Sequence, residues 1–295
     1  MPTRPFRFGV SMTATGTHEA WQAKARQAEE LGYDVLHIPD HLGISAPFPA
    51  LVSAADATTT LRVGTLVLNS GFYRPALLAR DIADTDQLTD GRLEVGLGAG
   101  CVGEEFRTAE LAYPTPEERV DNLAHTVAEL RRMFATPGQR PAVRQRPGPP
   151  LLLAGLGDRI LRLAAREGDI VGFPVMARDT PPGLDPQQVL ADRVAHVRSE
   201  AGARFGRLEL HLFVSSVVLA GADSGGRESP DLTAVHRTAP NLTRNQILRL
   251  PNVLAGSVEQ IAETLHRYRD THGLTYFSVL EPDMSDFAKV IARLR

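Results

Sequence analysis

The 295-residue sequence predicts an α/β fold in which eight strand–helix units close into a (β/α)8 barrel, the TIM-barrel class. Short apolar runs alternate in strict order with longer segments of helical period, and this alternation favours a parallel sheet. The units number eight, and an open doubly wound sheet, the alternative, is less common at that count. One barrel commonly fills about 250 residues, so we expect residues 1–295 to form a single domain.

The first four strand–helix units occupy the first half of the chain. The predicted strands are Phe6–Ser11, Val35–Ile38, Leu61–Leu68 and Arg92–Leu97. The predicted helices are His18–Leu31, Pro49–Thr59, Pro75–Leu88 and Thr115–Phe134. Gly32 ends the first helix, and Thr-Pro-Glu-Glu is a strong start signal for the fourth. We interpret the acidic residues of the third helix as a solvated face; they are Asp81, Asp84, Asp86 and Asp90.

The last four units follow Ala135–Pro149, a segment rich in proline, glycine and arginine that could be mistaken for a domain linker. The predicted strands are Leu151–Ala154, Asp169–Phe173, a strand within Leu208–Leu219, and Thr275–Leu280. The predicted helices are Arg159–Arg166, Pro186–Ala203, Ser257–His272 and Ser285–Leu294. The stretch Ala220–Ser257, after strand seven, is predicted to be an insertion with a helical piece of its own.

Composition excludes several classes of protein. The hydrophobic fraction of 43% and the charged fraction of 23% are typical of a globular protein. A net charge of −3 argues against nucleic acid as the main partner, because phosphate binding needs a basic surface. No apolar run reaches the roughly 18 residues that cross a bilayer, and the first residues lack the apolar core of a signal peptide. We therefore expect a cytoplasmic protein that acts on a small molecule, without a membrane partner.

Several kinds of catalysis lack the residues they need. The lysines are Lys24 and Lys289, and neither follows a glycine or closes a strand, which disfavours a Walker A loop and Schiff-base chemistry. No G-x-S-x-G motif is present. On one strand, His37 and His41 would stand about 13 Å apart, too far to share a metal ion, so no metal site is predicted. The single cysteine, Cys101, excludes an intrachain disulfide.

Functional side chains in such a barrel gather at the carboxyl ends of the strands. Predicted strand two ends at Asp40 and His41, a carboxylate and an imidazole that can bind a cofactor or relay a proton. The alternative is that Asp40 caps the following turn while His41 only packs. The strand-end position favours the functional interpretation.

Predicted strand four runs into a glycine cluster, and residues 98–103 match G-x-G-x-x-G. We reject the dinucleotide interpretation, because that motif belongs at the first strand–helix turn, whereas about twelve loop residues follow here. Small residues at this point would let a flat ring lie against the backbone, and a tight turn without a ligand is the alternative. We interpret Cys101 as a small buried filler and not as a nucleophile.

Predicted strand five continues as Ala154-Gly155-Leu156-Gly157-Asp158 directly into a helix. Backbone N–H groups at a glycine-rich helix start bind phosphate without any lysine. Asp158 is equally plausible as a simple N-cap, and both roles could coexist.

Several segments together resemble the luciferase-like monooxygenase superfamily, on its coenzyme F420-dependent side. The segments that carry the resemblance are Phe8–Val10, Ala28–Asp34, Asp40–Leu42, Arg62–Asn69, Asp90–Gly100, Gly273–Val279 and Ala288–Leu294. Their order and spacing carry the resemblance, since no single motif is diagnostic.

The resemblance implies a barrel with an insertion after strand seven, a homodimer, and a flavin or deazaflavin ring at the barrel mouth. It places a non-proline cis peptide at Leu66–Val67, an active-site histidine at His41 and a phosphate loop at Gly155–Asp158. The cofactor-binding residues so predicted are Asp40, Leu66, Val67, Asn69, Gly98, Ala99, Gly100, Cys101, Gly155, Leu156, Gly157 and Asp158.

The sequence departs from the family at Cys101, where relatives often carry tryptophan and sugar-phosphate dehydrogenases carry a catalytic glutamate. This departure argues against that dehydrogenase activity and leaves the proton donor open. The predicted catalytic residues are His41 and Glu104, with solvent and Glu281 as alternatives.

The resemblance implies an F420-dependent oxidoreductase that moves a hydride between the C5 atom of the deazaflavin and a small organic substrate. We favour an F420H2-dependent reductase of C=C or C=N bonds in specialised metabolism. The alternatives are an FMNH2-dependent monooxygenase, with FMN as its cofactor, and a non-catalytic barrel that only binds a ligand. Phe48, Phe72 and Tyr73 suggest an apolar substrate, shaped by residues 43–48 and the insertion.

Overall fold

The computed structural model describes residues 4–13, 16–174, 185–221, 232–238 and 241–295. The strands of these ranges are β1 (Arg7–Ser11), β2 (Val35–Ile38), β3 (Arg62–Thr65), β4 (Leu68–Asn69), β5 (Leu93–Gly98), β6 (Leu151–Ala154), β7 (Ile170–Phe173), β8 (Glu209–Phe213), β9 (Ser216–Leu219), β10 (Val253–Gly256) and β11 (Leu274–Leu280). One parallel sheet runs in the order β3-β2-β1-β11-β8-β7-β6-β5-β4, and the pairing of β3 with β5 closes it. Because β3 and β4 share one position, this is an eight-position barrel, and the predicted (β/α)8 class is confirmed.

Helices follow the barrel strands and pack around them. They are α1 (His18–Glu30), α2 (Pro47–Asp56), α3 (Pro75–Leu88), α4 (Gly103–Thr108), α5 (Pro116–Ala135), α6 (Asp158–Glu167), α7 (Pro186–Ala201), α8 (Thr233–Thr238), α9 (Arg244–Ile247), α10 (Val258–His272) and α11 (Met284–Leu294). Thr115 and Glu118 form the expected capping box at the start of α5. None of the described helices has both the length and the apolar character needed to cross a bilayer.

The short helix α4 was not predicted. Its residues belong to the stretch that the sequence assigns to a loop between strand four and helix four. Buried Phe106 anchors α4, and its ring contacts Phe72 at a centroid distance of 5.3 Å. The six-residue length of α4 gives no periodicity that sequence reasoning could detect.

The inside of the barrel is polar toward the amino ends of the strands. Arg7 forms ion pairs with Glu94 and Glu209, and its guanidinium lies 4.4 Å from the centre of the Tyr276 ring. The Tyr276 hydroxyl lies 2.8 Å from His37 Nε2. Burial and, to a lesser extent, the charge of Arg7 together lower the pKa of His37 to about 3, so this histidine is neutral. His37 is therefore part of the barrel's internal packing.

The predicted insertion after strand seven is confirmed in position and has its own sheet. The predicted strand seven divides into β8, which belongs to the barrel, and β9, which pairs in parallel with β10 of the insertion. A separate apolar cluster holds the insertion together; it consists of Val218, Leu232, Val235, Ile247, Leu250 and Val253. Residues 222–231 and 239–240 of the predicted Ala220–Ser257 segment lie outside the described residues.

The solvated face predicted for the third helix is wrong at Asp86, which is fully buried. Its carboxylate accepts hydrogen bonds from the backbone N–H groups of Arg144 and Gln145 at 2.6 and 2.9 Å and from the Gln145 side chain at 2.7 Å. The physical reason is that residues 135–149 fold back against α3 and need an acceptor for their N–H groups. Asp84, two residues earlier, is exposed.

Candidate active site

The third barrel position is bulged where the sequence predicts one continuous strand. The peptide bond between Leu66 and Val67 is cis, at the place that the family resemblance implies, and it separates β3 from β4. The Thr65 hydroxyl donates to the Gly96 carbonyl and accepts from the Gly96 N–H, both at 2.9 Å. This side chain therefore keeps the bulge attached to β5. Half-buried Leu66 and Val67 pack on the apolar cluster inside the barrel.

The glycines that end β5 are explained by their contacts with the bulge. A Cβ on Gly98 would lie 2.7 Å from Val67 Cγ2, and one on Gly100 would lie 2.2 Å from Asn69 Oδ1. Gly100 also has a φ of +75°, which favours glycine. Packing against the bulge and the positive φ of Gly100 are sufficient reasons for both glycines, as the tight-turn alternative expects. Ala99, between them, is half-buried against the main core.

Asp40 links the end of β2 to the bulge. Its Oδ2 accepts a hydrogen bond from the Asn69 N–H at 3.1 Å, and it also accepts one from the Tyr73 hydroxyl. Burial raises the pKa of Asp40, against the effect of these donors, and burial next to Asp40 raises the pKa of Tyr73 as well. The Asn69 side chain in turn accepts from the Gly71 N–H at 3.0 Å.

His41 meets a carboxylate that the sequence interpretation missed. Its Nδ1 lies 2.8 Å from Oε1 of Glu105 on α4. The Glu105 side chain is only 13% exposed, whereas that of His41 is 51% exposed. The predicted Glu104 is 67% exposed and pairs with Arg107. The sequence shows two adjacent glutamates, and only the orientation of α4 decides which one reaches His41.

Cys101 is exposed, so its interpretation as a buried filler is wrong. Its carbonyl accepts a hydrogen bond from the Tyr113 hydroxyl at 3.2 Å. The Tyr113 ring packs on Phe106 at 5.1 Å and beneath the Arg119 guanidinium at 4.4 Å. The segment between β5 and α5 therefore folds back on itself, and this fold leaves the Cys101 side chain at the surface.

The start of α6 provides uncapped backbone N–H groups. The N-cap is Gly157, and Asp158 is the first helical residue, so the prediction of Asp158 as the N-cap is wrong. No side chain caps this helix, and a Cβ on Gly157 would meet nothing within 4 Å. Close packing restricts position 155 to glycine, because a Cβ there would lie 2.4 Å from the Ile160 side chain. Leu156 is half-buried. The N–H groups in the first turn of α6 are therefore available to an anion.

The predicted residues gather at one end of the barrel. Hydrogen bonds join Asp40 to the bulge and His41 to the segment after β5, while Gly155–Asp158 follows β6, the strand next to β5. Glu281, after β11, forms an ion pair with Lys24. Among the described residues, no group of three or more histidine, cysteine, aspartate or glutamate side chains converges on a possible metal position.

A closed parallel barrel with a bulged third strand, a strand-end histidine and an insertion after the seventh strand defines a distinct class of (β/α)8 protein. The chain belongs to the luciferase-like monooxygenase family, because the sequence model of that family matches residues 4–275.

Sequence relatives include enzymes of two kinds. The F420-dependent glucose-6-phosphate dehydrogenase of Intrasporangium calvum is 30% identical over 188 residues, which cover 50% of this chain and 55% of that protein. The chain thus spans about half the length of the F420-dependent dehydrogenases it matches. The N-acetyl-S-alkylcysteine monooxygenase of Bacillus subtilis is 25% identical, over 93% of this chain and 90% of that protein.

Solved structures share the fold. An F420-dependent secondary alcohol dehydrogenase in complex with an F420-acetone adduct superposes with a TM-score of 0.74 and 16% identity, covering 99% of this chain and 100% of that chain. A monooxygenase from Streptomyces bottropensis gives a TM-score of 0.76 at 21% identity, covering 97% and 99%. At these identities the likeness shows the architecture of the barrel.

Proposed function

We propose that the protein is a coenzyme F420-dependent oxidoreductase that moves a hydride between C5 of the deazaflavin and a small organic substrate. The contact between His41 and Glu105 carries the proposal, since it holds an imidazole next to Asp40, which binds the bulge. The F420-dependent relatives favour this cofactor. The favoured direction is F420H2-dependent reduction of a C=C or C=N bond.

The residues at the mouth fit a flat ring that carries a phosphate-bearing tail. Gly157 leaves the first N–H groups of α6 uncapped and has open space around it, so Gly155–Asp158 would hold the phosphate. The half-buried bulge residues and the segment Gly98–Cys101 would lie against the ring, with Asp40 and Asn69 near its edge. When bound, the reduced deazaflavin supplies a hydride.

His41 is the proposed proton donor. Its Nδ1 is engaged by Glu105, so Nε2 is the nitrogen that can face a substrate. In the reductive direction the π bond of the substrate breaks, one atom receives the hydride, and the other takes one proton from Nε2 or from water. The exposed side of His41 allows solvent to return that proton. Glu104 would first have to leave Arg107, so we propose Glu105 as the carboxylate that positions His41.

The second candidate is an FMNH2-dependent monooxygenase. The Bacillus subtilis monooxygenase matches almost the whole chain, whereas the F420-dependent dehydrogenases match about half of it. The two cofactors differ at one ring position, carbon in F420 and nitrogen in FMN, and only the reduced flavin reacts usefully with oxygen.

The homodimer that the family resemblance implies stays a prediction, and analytical ultracentrifugation would measure the oligomeric state.

Titration of the purified protein with oxidised F420 and, separately, with FMN tests the proposal. The signal is the fluorescence of each cofactor, because the single tryptophan, Trp21, is buried on α1, where its Nε1 donates to the Ala50 carbonyl at 2.9 Å. Tight binding of F420 with weak binding of FMN is the expected result. The reverse preference would favour the monooxygenase, and binding of neither would contradict both.

A further inference from the structure

Large apolar side chains are exposed at few positions of the described chain, and four of these lie either directly after His41 or in the segment between β5 and α5 that contacts His41. Leu42, Val102, Leu111 and Tyr113 are between 37% and 46% exposed. The remaining three are Leu77, Leu88 and Leu248. A single exposed apolar residue needs no explanation, but several beside a candidate catalytic group are typical of a binding surface.

The four residues belong to two segments that contact each other. Leu42 follows His41 directly, and the other three lie between β5 and α5. The contact of His41 with Glu105 joins the two segments. We call residues 41–42 and 101–114 the rim.

Contacts within residues 101–114 hold the rim in a defined conformation. The hydrogen bond from the Tyr113 hydroxyl to the Cys101 carbonyl ties its two ends together. A Cβ on Gly103 would lie only 3.2 Å from the Tyr113 ring, which shows how closely the segment packs on itself. Phe106 anchors it from below. The exposed apolar groups are thus held in place by the fold, as a substrate surface requires.

The charge of the rim disfavours an anionic ligand. Residues 101–114 carry three glutamates and one arginine, and that arginine, Arg107, is paired with Glu104. Asp40 lies at the same place and interacts electrostatically with Glu105. Arg119, the nearest cation of α5, covers the Tyr113 ring and donates to the Pro114 carbonyl at 2.7 Å. A phosphate or carboxylate on the substrate would meet like charges without a free cation from the rim.

We propose that the rim selects an uncharged, largely apolar substrate, in contrast to the sugar phosphate named for the dehydrogenase relatives. This inference rests on the proposed function for the reaction itself. The apolar surface binds the body of the substrate by burial, and the carboxylates exclude anionic analogues. The occupant is a small molecule and not a second copy of the chain, because the rim is continuous with the candidate active site.

Binding of the uncharged dye Nile red to the protein without cofactor tests the rim independently of turnover. Leu111→Asp should raise the Kd for Nile red at least about fivefold, through lost apolar contact and added charge. Leu88→Asp is the matched control, since Leu88 is an exposed leucine at the far end of α3, and it should leave the Kd unchanged. Equal Kd values in the two variants would overturn the proposal.

A substrate panel tests selectivity with F420H2. The protein should reduce 2-cyclohexen-1-one with a kcat/KM at least about tenfold above that for a carboxylate-bearing analogue, and it should not oxidise glucose 6-phosphate with F420. Preference for either anion would overturn the inference. A change in sedimentation in Leu111→Asp, without a change in dye binding, would also overturn it by indicating a contact between copies. Absence of F420 binding would contradict the proposed function, while the Nile red comparison would still decide the rim.

Discussion

Replacement of Asp86 by alanine should lower the free energy of unfolding by about 3–4 kcal/mol, although Asp86 touches no candidate active-site residue. The carboxylate accepts three hydrogen bonds of 2.6 to 2.9 Å from Arg144 and Gln145. A hydrogen bond to a charged group contributes about 1.5–3 kcal/mol, and each N–H left without an acceptor costs about 1–3 kcal/mol. Three N–H groups at the minimum cost of about 1 kcal/mol each give about 3 kcal/mol. Because Arg144 is exposed, water replaces part of the lost hydrogen bonding, so the total stays near this minimum.

The variant Asp86→Asn refines the magnitude. It keeps the size of the side chain and one acceptor oxygen but removes the charge, so we expect about half of the loss. The removed contacts hold residues 135–149 against α3, directly before β6 begins. The destabilised segment therefore adjoins the barrel wall, and the whole barrel should unfold at lower denaturant concentration.

Urea unfolding monitored by the fluorescence of buried Trp21 measures the effect. The control is Asp84→Ala, an exposed aspartate of the same helix, whose effect should stay within about 0.5 kcal/mol. A thermal midpoint lower by about 5 °C should accompany Asp86→Ala in a chain of this length. If Asp86→Ala and Asp84→Ala differ by less than about 1 kcal/mol, the argument from the buried carboxylate is refuted.

Four further predictions concern the candidate site and Asp283, which lies between β11 and α11. Glu105→Gln should lower kcat about tenfold and leave the Kd for F420 unchanged. His41→Ala should lower kcat about 10²–10⁴-fold, and an unchanged kcat in this variant would remove His41 from the mechanism. Gly157→Val fits the open space at its Cβ, so the barrel should fold while the Kd for F420 rises about tenfold; equal affinity would place the phosphate elsewhere. Burial raises the pKa of Asp283 to about 6, so its ionisation in the folded state costs stability as the pH rises from about 4 to above 6. Asp283→Asn can still accept from the Val217 N–H, and it should be more stable than the parent by about 2 kcal/mol at pH 8 and by much less at pH 4, as measured by urea unfolding at both pH values.

Local patterns in the sequence predict most of the barrel. Apolar runs and helical periodicity depend on neighbours within a few residues, so the order of strands and helices follows from them. Thr115 is one example, because the threonine and the glutamate that cap α5 are three residues apart. The position of the cis peptide at Leu66–Val67 was also predictable, but only through the family resemblance, since neither residue is a proline.

The positions of Asp40 and His41 at the carboxyl end of a strand were predictable from the sequence. The alternation of a strand and the rule that function lies at its carboxyl end need no tertiary information. The hydrogen-bond partner of Asp40 was not predictable. The Asn69 N–H is 29 residues away in sequence, and it is available to Asp40 only because the bulge separates β3 from β4.

The sequence by itself determined the class of barrel, the position of the insertion and the strand end that carries the histidine, because each depends on contacts or periods local to the chain. The tertiary structure decided that Glu105 and not Glu104 meets His41, that Asp86 is buried while Asp84 is exposed, and that Cys101 faces solvent. The physical reason is that a local pattern gives the polarity and the period of a segment but not the partner of a polar side chain. Asp86 does lie on the buried side of α3, four residues after Ile82, but only the packing of residues 135–149 against that side supplies the donors that let a carboxylate be buried there.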